Sequence, residues 1–477
     1  MNTIIPPCRQ HPATMLQRTF RHLLLLALPL MRGLRYVLLP QGAYHWARGV
    51  WIDLTAIILL VFLLYVQWRF HTYCLTDRGF FFHRGILLQR DSFILCQHIS
   101  TLTVERPFYL RALRAARVIV DTDAGNHSRA DLIMTVSEKH AQDILAAQKK
   151  QARQIQHRYQ PRRHHLVVLS LLASNSLSGV ILLTTALHHS GRLLGESYRQ
   201  EVLDNLETIA RYVRFVPHTA ALIGLVLICG WGIAAVRNLL RILPFTVTRF
   251  THTLAIHTGS LTRCEHLCAV ASINFVDIRQ TLLCTLLHLH IVFVHCIGYG
   301  KERDALSLLV PVSSTKHSEQ ALHGLLPEFP YTPVNIRPAP YSLLRYTLYP
   351  LCIIASLYPI ACFAAKLFPL WHEVIGHLLF IAHIPCVWLL TIKIIDRYTA
   401  GIAKKDGIIT LRYSRRLTLH TAIIPTKKIV SCRFRQSIFQ RRRNLGDLFI
   451  YTHSESERPH RVKNINAADA DALLAAI

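Results

Sequence analysis

Three stretches decide how this chain is read: ILCQHISTLTVERPFYLRALRAARVIV from Ile94 to Val120, CAVASINFVDIRQTLLCTLLHLHIVFV from Cys268 to Val294, and IPTKKIVSCRFRQSIFQRRRNLGDLFI from Ile424 to Ile450. They align without a gap. Ile99, Ile273 and Ile429 coincide, then Val104, Ile278 and Phe434, then Val118, Val292 and Leu448. A recurrence of this kind points to one structural unit used three times.

Working outward, each stretch follows short β-rich runs. In YCLTDRGFFFHRGILLQRDSFILC these runs are broken at Asp77-Arg78-Gly79 and Arg84-Gly85, where glycine suits a tight hairpin turn. The counterparts carry Gly259 in the second copy and Asp406-Gly407 in the third. RVIVDTDAG and DLIMTVS supply two later strands in the first copy. A helix is expected to close each unit: Ser137 caps 138–148, Ser318 starts 319–326, and Asn466 caps 467–477.

Between the units lie long apolar runs. A spanning helix needs about 20 mainly apolar residues. Val50–Trp68 qualifies, with Asp53 as its one charge, and Leu166–Leu187, Phe215–Val236, Tyr346–Ala365 and Val374–Ile392 hold no Asp, Glu, Lys or Arg. A weaker segment near Phe20–Leu39 makes six, arranged as three hairpins. It has the apolar core of a leader peptide but no small-residue cleavage site, so it reads as an uncleaved first span. The expected divisions are 1–68 for the N-terminal segment and first hairpin, 69–163 for unit one, 164–241 for the second hairpin, 242–340 for unit two, 341–395 for the third hairpin and 396–477 for unit three.

Composition agrees with a membrane protein. Of 477 residues, 51% are hydrophobic and only 17% charged, against about 25% charged in ordinary soluble proteins. The 54 Lys and Arg face 27 Asp and Glu, a net charge of +27. The excess of apolar over charged residues argues against a disordered chain and against a simple soluble enzyme. Basic residues collect in cytoplasmic loops, and here Arg162, Arg163, Arg237, Arg241, Arg337, Arg345, Lys393 and Arg397 flank the spans on the side of the polar units. The connector around 192–214 balances Arg192, Arg199, Arg211 and Arg214 against Glu196, Glu201, Asp204 and Glu207, which places it outside. Its Val202, Leu203, Leu206, Ile209 and Tyr212 have the spacing of a surface-lying helix. Both ends and all three units are then expected in the cytoplasm.

An opening Y-x-L-T-D-x-G, a Gly-containing turn, an I-P-x-x-x-I element, then Gln and basic residues before a strand, resembles the bacterial pleckstrin-homology-like family, also called the membrane-flanked domain. The residues here are Tyr73, Leu75, Thr76, Asp77, Gly79 and Gly85 in unit one; Ile424, Pro425, Ile429, Gln436, Gln440 and Arg441 to Arg443 carry it in unit three. His11-Pro12 matches the family's initial His-Pro. Three such units with paired helices look like the YdbT-type multi-pass members. Unit two departs, with Thr248-Arg249-Phe250 where Thr-Asp-x-Gly is expected, and unit one has Leu95 at the proline position. The resemblance implies a multi-pass α-helical membrane protein carrying three cytoplasmic PH-like β-barrel domains, each a bent antiparallel barrel or sandwich of about seven strands closed by a C-terminal helix. It carries over no catalytic residue.

Motifs that suggest chemistry do not fit it. His372-Glu373-Val374-Ile375-Gly376-His377 resembles H-E-x-x-H, whose two histidines share a helix face around a metal. Five residues apart, they stand roughly 140° around the helix, so one metal does not reach both. Cys264 and Cys268 on a strand lie about 13 Å apart, too far for one zinc. Gly298-Tyr299-Gly300-Lys301 lacks phosphate-loop spacing. No cofactor and no metal is expected, and no nucleic-acid reader motif is present.

The third unit is the basic one. From Lys393 to Ile477 there are 17 Lys and Arg against seven Asp and Glu. Lys427, Lys428, Arg433, Arg435, Arg441, Arg442 and Arg443 are the candidate contact to anionic lipid head groups or an acidic partner. The expected function is a non-enzymatic membrane scaffold or adaptor in the bacterial inner membrane, serving envelope stress resistance at the level of family expectation. Its expected partners are lipids, other membrane proteins and a further copy of itself. The alternatives are a transporter or export accessory, and then an intramembrane hydrolase. Exchanging His372 and His377 for Ala is expected to leave any cellular phenotype of the protein intact; its complete loss at normal membrane abundance would restore the hydrolase.

Overall fold

The computed structural model describes residues 3–15, 17, 42–85, 88–123, 130–150, 154–174, 180, 183, 196–211, 218–296, 307–452 and 459–476. Unit one contains β1 (Thr3–Arg9), β2 (Thr72–Thr76), β3 (Gly79–Arg84), β4 (Arg90–Leu95), β5 (Ile99–Pro107), β6 (Ala115–Thr122) and β7 (Leu132–Ser137). Unit two has β8 (Ile155–Tyr159), β9 (Thr246–Phe250), β10 (Thr253–Thr258), β11 (Thr262–Ala269), β12 (Ile273–Thr281), β13 (Leu289–Cys296) and β14 (Leu308–Ser314). Unit three has β15 (Gly401–Lys405), β16 (Ile408–Arg415), β17 (Thr418–Pro425), β18 (Ile429–Arg435), β19 (Leu445–Thr452) and β20 (His460–Asn466). β5, β12 and β18 begin at the three aligned isoleucines.

Closed barrels are not what the strand order gives. The sheets run β1-β2-β3-β4, then β7-β6-β5-β11-β10-β9-β8, then β14-β13-β12-β17-β16-β15, then β18-β19-β20. A short 3-10 turn, at Cys96–His98, Val270–Ser272 and Thr426–Lys428, takes the chain from the first half of each unit to the second. In units one and two the second half then hydrogen-bonds into the following unit instead of closing on its own first half. β5 meets β11 antiparallel from Thr101↔Cys268 to Pro107↔Thr262. β12 meets β17 from Val276↔Ile423 to Thr281↔Thr418. In the aligned frame both joints have one register.

Each core is a sandwich of two half-sheets under one helix. In unit one, Tyr73, Leu75, Phe80 and Phe82 pack on Leu102, Val104, Val118 and Met134, with Ile144 and Leu145 from the helix Glu138–Lys150. Ser137 Oγ accepts from His140 N at 3.3 Å, capping that helix. In unit two the helix is Thr315–Leu325, so it starts earlier than Ser318. Ser318 lies inside the first turn and donates to the Thr315 carbonyl at 2.8 Å, a competing bond that serine makes readily. The third helix is Ala467–Ala476.

The first strand of a unit comes before its helices. β1 pairs with β2, and β8 pairs with β9, across the intervening apolar segments. In unit three, Ile336 bridges Ile402, with Ile402 N donating to the Ile336 carbonyl at 2.8 Å. The stretches 155–159 and around 336, assigned by sequence to units one and two, therefore join the sheets of units two and three. IQHRY shows no alternation to announce this, because an edge strand buries almost nothing of its side chains.

Of the six expected spans, three helices among the described residues are long and apolar enough to cross a membrane: Gly224–Ile242, Pro340–Leu367 and Val374–Thr399. The last two form a hairpin around the turn Pro369–Trp371. The helix Gly42–Arg69 contains the shorter apolar stretch Ile57–Arg69. The span near Phe20–Leu39 lies outside the described residues, as does the side chain of Asp53; the span expected over Leu166–Leu187 is a described helix at Arg163–Leu172. The connector holds a helix at Glu196–Arg211.

Polar networks sit on the joints. Between units two and three, His420 Nδ1 lies 3.0 Å from Asp277 Oδ2, and Arg279 Nε donates to the same oxygen at 2.6 Å. Burial alone would raise the Asp277 carboxyl, but His420 and Arg279 hold it well below the usual range. Nearby, Tyr413 Oη is 2.8 Å from His460 Nδ1. Burial pushes His295 and His460 down to about 4, and His266 on the other joint likewise. These histidines are neutral in the folded chain, so the unfolded chain binds more protons between pH 6.5 and 4. Stability is therefore expected to fall as pH drops through that window. Melting curves at pH 7.5 and pH 5 test this: the midpoint falls at pH 5, and His295→Asn reduces the drop. Equal midpoints for the wild type would refute it.

Candidate membrane-surface site

The basic residues of unit three do not form one patch. Lys427 and Lys428 lie on the 3-10 turn before β18, and Arg435 ends that strand. Seven residue steps along the strand separate Lys428 from Arg435, roughly 23 Å. Arg433 and Arg435 are exposed along β18, and the Arg433 guanidinium stands 5.1 Å from the Tyr451 ring centre. Arg441, Arg442 and Arg443 are exposed on the turn that follows.

That turn is rigidly built. Ser437 and Gln440 cap the single helical turn Ile438–Arg441 reciprocally: Ser437 Oγ accepts from Gln440 N at 3.3 Å, and Gln440 Oε1 accepts from Ser437 N at 2.9 Å. The buried Gln440 amide also donates to Asp447 at 2.8 Å and to Asn464 at 3.0 Å. Asn444 then takes a left-handed backbone, φ 49°, and returns the chain to β19. Arg114 and His288 do the same at the aligned positions of units one and two.

Held this way, the turn bares its apolar residues. Ile438 is 79% exposed and Phe439 73%. The aligned turns are alike: Phe108 and Tyr109 in unit one, Leu283, Leu286 and Leu287 in unit two are all exposed. Only the third adds a basic triplet. Arg443 places its guanidinium 5.3 Å from the ring centre of Tyr341, one residue into the turn that opens the spanning helix Leu343–Leu367. Two contacts hold that helix end to the unit. Tyr346 Oη donates to the Lys463 carbonyl at 3.1 Å, and Arg345 donates to Asn464 Oδ1 at 3.2 Å. The turn in unit one is tied similarly: Arg111 donates to the Leu261 carbonyl at 3.1 Å, and the neighbouring Ser260 donates to Leu240 near the end of another spanning helix at 2.9 Å.

Beside Tyr341 an open cleft of about 550 Å³ is lined by Arg337, Tyr341, Arg397, Tyr398, Asn466 and Asp469 among others. Arg397 Nε is buried there without a hydrogen-bond partner. Sequence reasoning counted Arg337 and Arg397 only as charges flanking the spans. Their convergence on one cleft depends on tertiary contacts that no local pattern announces. The apolar pair Ile438-Phe439 beside the triplet was a visible signal, since two large apolar residues at the start of a basic run suit an interface better than a core. His372 opens the helix His372–Thr399 and, like His377, is exposed.

Compared with known proteins, the chain matches the Bacterial PH domain model over residues 23–162 and 351–477, more than half its length. The chain belongs to the Bacterial PH domain family. The two matched stretches leave out unit two apart from β8, and there the strand register sets Arg249, expected at the position of Asp77, at the place of the core residue Leu75 instead, where it pairs with Glu328 at 2.5 Å. The chain is also similar to the UPF0699 transmembrane protein YdbT of Bacillus subtilis (strain 168), with 22% identity over 455 residues and 87% of each chain covered. No solved structure matches it. As a Bacterial PH domain protein with spanning helices, it is a membrane protein.

Gln440 is the residue on which the shape of this turn depends. Gln440→Leu is expected to cost about 1–3 kcal/mol, because it leaves buried partners at Asp447 and Asn464 unanswered. Arg442→Ala, on the exposed face, is expected to change stability by under about 0.5 kcal/mol. Denaturant unfolding of both variants measures the difference, and equal costs would contradict this assignment.

Proposed function

We propose that this protein is a non-enzymatic scaffold of the bacterial plasma membrane whose PH-like units lie against the cytoplasmic leaflet and contact anionic lipid head groups there. The observation that carries it is the position of the third turn: Arg443 stacks at the entry of a spanning helix, with Ile438 and Phe439 bare beside it. Apolar tips entering the head-group region while arginines meet phosphate is the usual division of labour at an interface. Each Lys or Arg near an anionic leaflet contributes about 1 kcal/mol within a Debye length. The triplet then supplies about 3 kcal/mol, enough to keep the turn engaged. The charge flanking the spans supports a topology with both ends in the cytoplasm.

Hydrogen exchange of residues 436–444 in the full-length protein, in nanodiscs of zwitterionic lipid with and without anionic lipid, tests the contact. Anionic lipid is expected to slow exchange in this segment several-fold. Changing Arg441, Arg442 and Arg443 together to Glu should abolish the slowing, as should high salt. Identical exchange in both lipids would leave the triplet as a solvated face and sink the proposal.

A further inference from the structure

Two strands that elsewhere in this fold make a joint are left bare at the two ends of the array. Among the described residues, the outer edge of β4 has no strand partner, although its counterparts β11 and β17 are each paired. The outer edge of β18 has none either, although β5 and β12 do. One end of the molecule thus carries the edge that the other end lacks.

Burial follows the same pattern. Ile99, Leu102 and Val104 in unit one, and Ile273, Val276 and Ile278 in unit two, are all buried. The aligned Ile429, Cys432 and Phe434 are only half-buried, and Val430 is 65% exposed where Ser100 and Asn274 are covered. At the opposite end Phe81 is 41% and Phe93 42% exposed, their rings 4.2 Å apart. Their counterparts, Ala255 with Leu267 and Thr410 with Ile423, are at most 5% exposed. Leu267 belongs to the core of unit one and Ile423 to the core of unit two, each completing the unit before its own. Phe93 is the residue of this kind that has no core to complete, and the core of unit three has none to receive.

We propose that copies of this protein associate head to tail, with β18 of one copy pairing antiparallel with β4 of the next in the register of the two internal joints. That register sets Ser431 opposite Ile94, Cys432 opposite Phe93 and Arg433 opposite Ser92. Side-chain volumes complement each other across the central pair. Leu102 meets Leu267 and Val276 meets Ile423 in the internal joints; here a small Cys meets a large Phe. Arg435 falls opposite Arg90, a pairing with precedent, since Arg106 lies opposite Arg263 in the first joint and is satisfied by Glu138 at 2.8 Å. A head-to-tail contact relates its two partners by rotation, and spanning helices confine that rotation to the membrane normal, so the contact closes into a ring or continues as an array. The association does not rest on the lipid contact proposed above.

Cysteine pairing in membranes tests the register. Phe93→Cys is expected to form a disulfide with the native Cys432 of another copy under mild oxidation, giving a doubled mass on a non-reducing gel. The bond should join differently tagged copies and vanish on adding Cys432→Ser. Ser92→Cys, which points to the other face, should give no such bond. Separately, Phe81→Ser with Phe93→Ser alters exposed residues only and is expected to convert an oligomeric wild type to single chains of 54.5 kDa with unchanged circular dichroism. A wild type that runs as single chains in native nanodiscs, a Phe93→Cys chain that fails to cross-link, or a bond formed within one chain would each overturn the proposal.

Discussion

Backbone hydrogen bonding between β5 and β11, repeated between β12 and β17, is the constraint on which the rest of the molecule depends. A strand that leaves its own half-sheet must satisfy its N–H and C=O groups somewhere, and here the next unit answers them. The same pairing delivers Leu267 and Ile423 into the core of the preceding unit and Phe275 into that of the following one. The three units are therefore not beads on a string. Neighbouring cores share strands, and polar networks around Glu265 and around Asp277 are placed on the shared seams.

This coupling governs how the side nearest the spanning helices is organised. The turn after each second-half strand ends in a left-handed residue and bares apolar side chains. Because β5 and β12 are locked in one register, the first two turns keep an equivalent relation to the unit that follows each. Arg111 reaches from the first turn to the hairpin of unit two, and Arg443 reaches from the third to the mouth of a spanning helix.

Much of this is legible in the chain. The aligned isoleucines at 99, 273 and 429 mark the strands that begin the second half of each unit, and the uncharged runs after Tyr346 and Val374 mark the hairpin. Ser137 announces a helix cap that forms. Other features are not legible, for physical reasons. Sharing of sheets leaves no local trace: β5 reads like any strand buried on both faces, and nothing in ISTLTVERP says whose strand covers it. β8 is invisible because an edge strand needs no alternation. The basic cluster reads as one patch in sequence and divides in space, because a strand carries Lys428 and Arg435 to opposite ends. The arginines of the cleft, Arg337 and Arg397, are 60 residues apart and meet through the packing of unit three on its hairpin.

The placement of each first strand ahead of its helices has a consequence for biosynthesis. β1 leaves the ribosome long before β2, and the helix Gly42–Arg69 separates them. The first half-sheet of unit one therefore stays incomplete until the intervening segment has been made and its far end has returned to β1. At that far end Trp68 donates its indole N–H to the Gln10 carbonyl at 2.8 Å, next to the end of β1. Because β1 pairs with β2, both ends of the intervening segment must lie on one side of any membrane it enters; ends left on opposite sides would leave an open strand edge and an unfilled core.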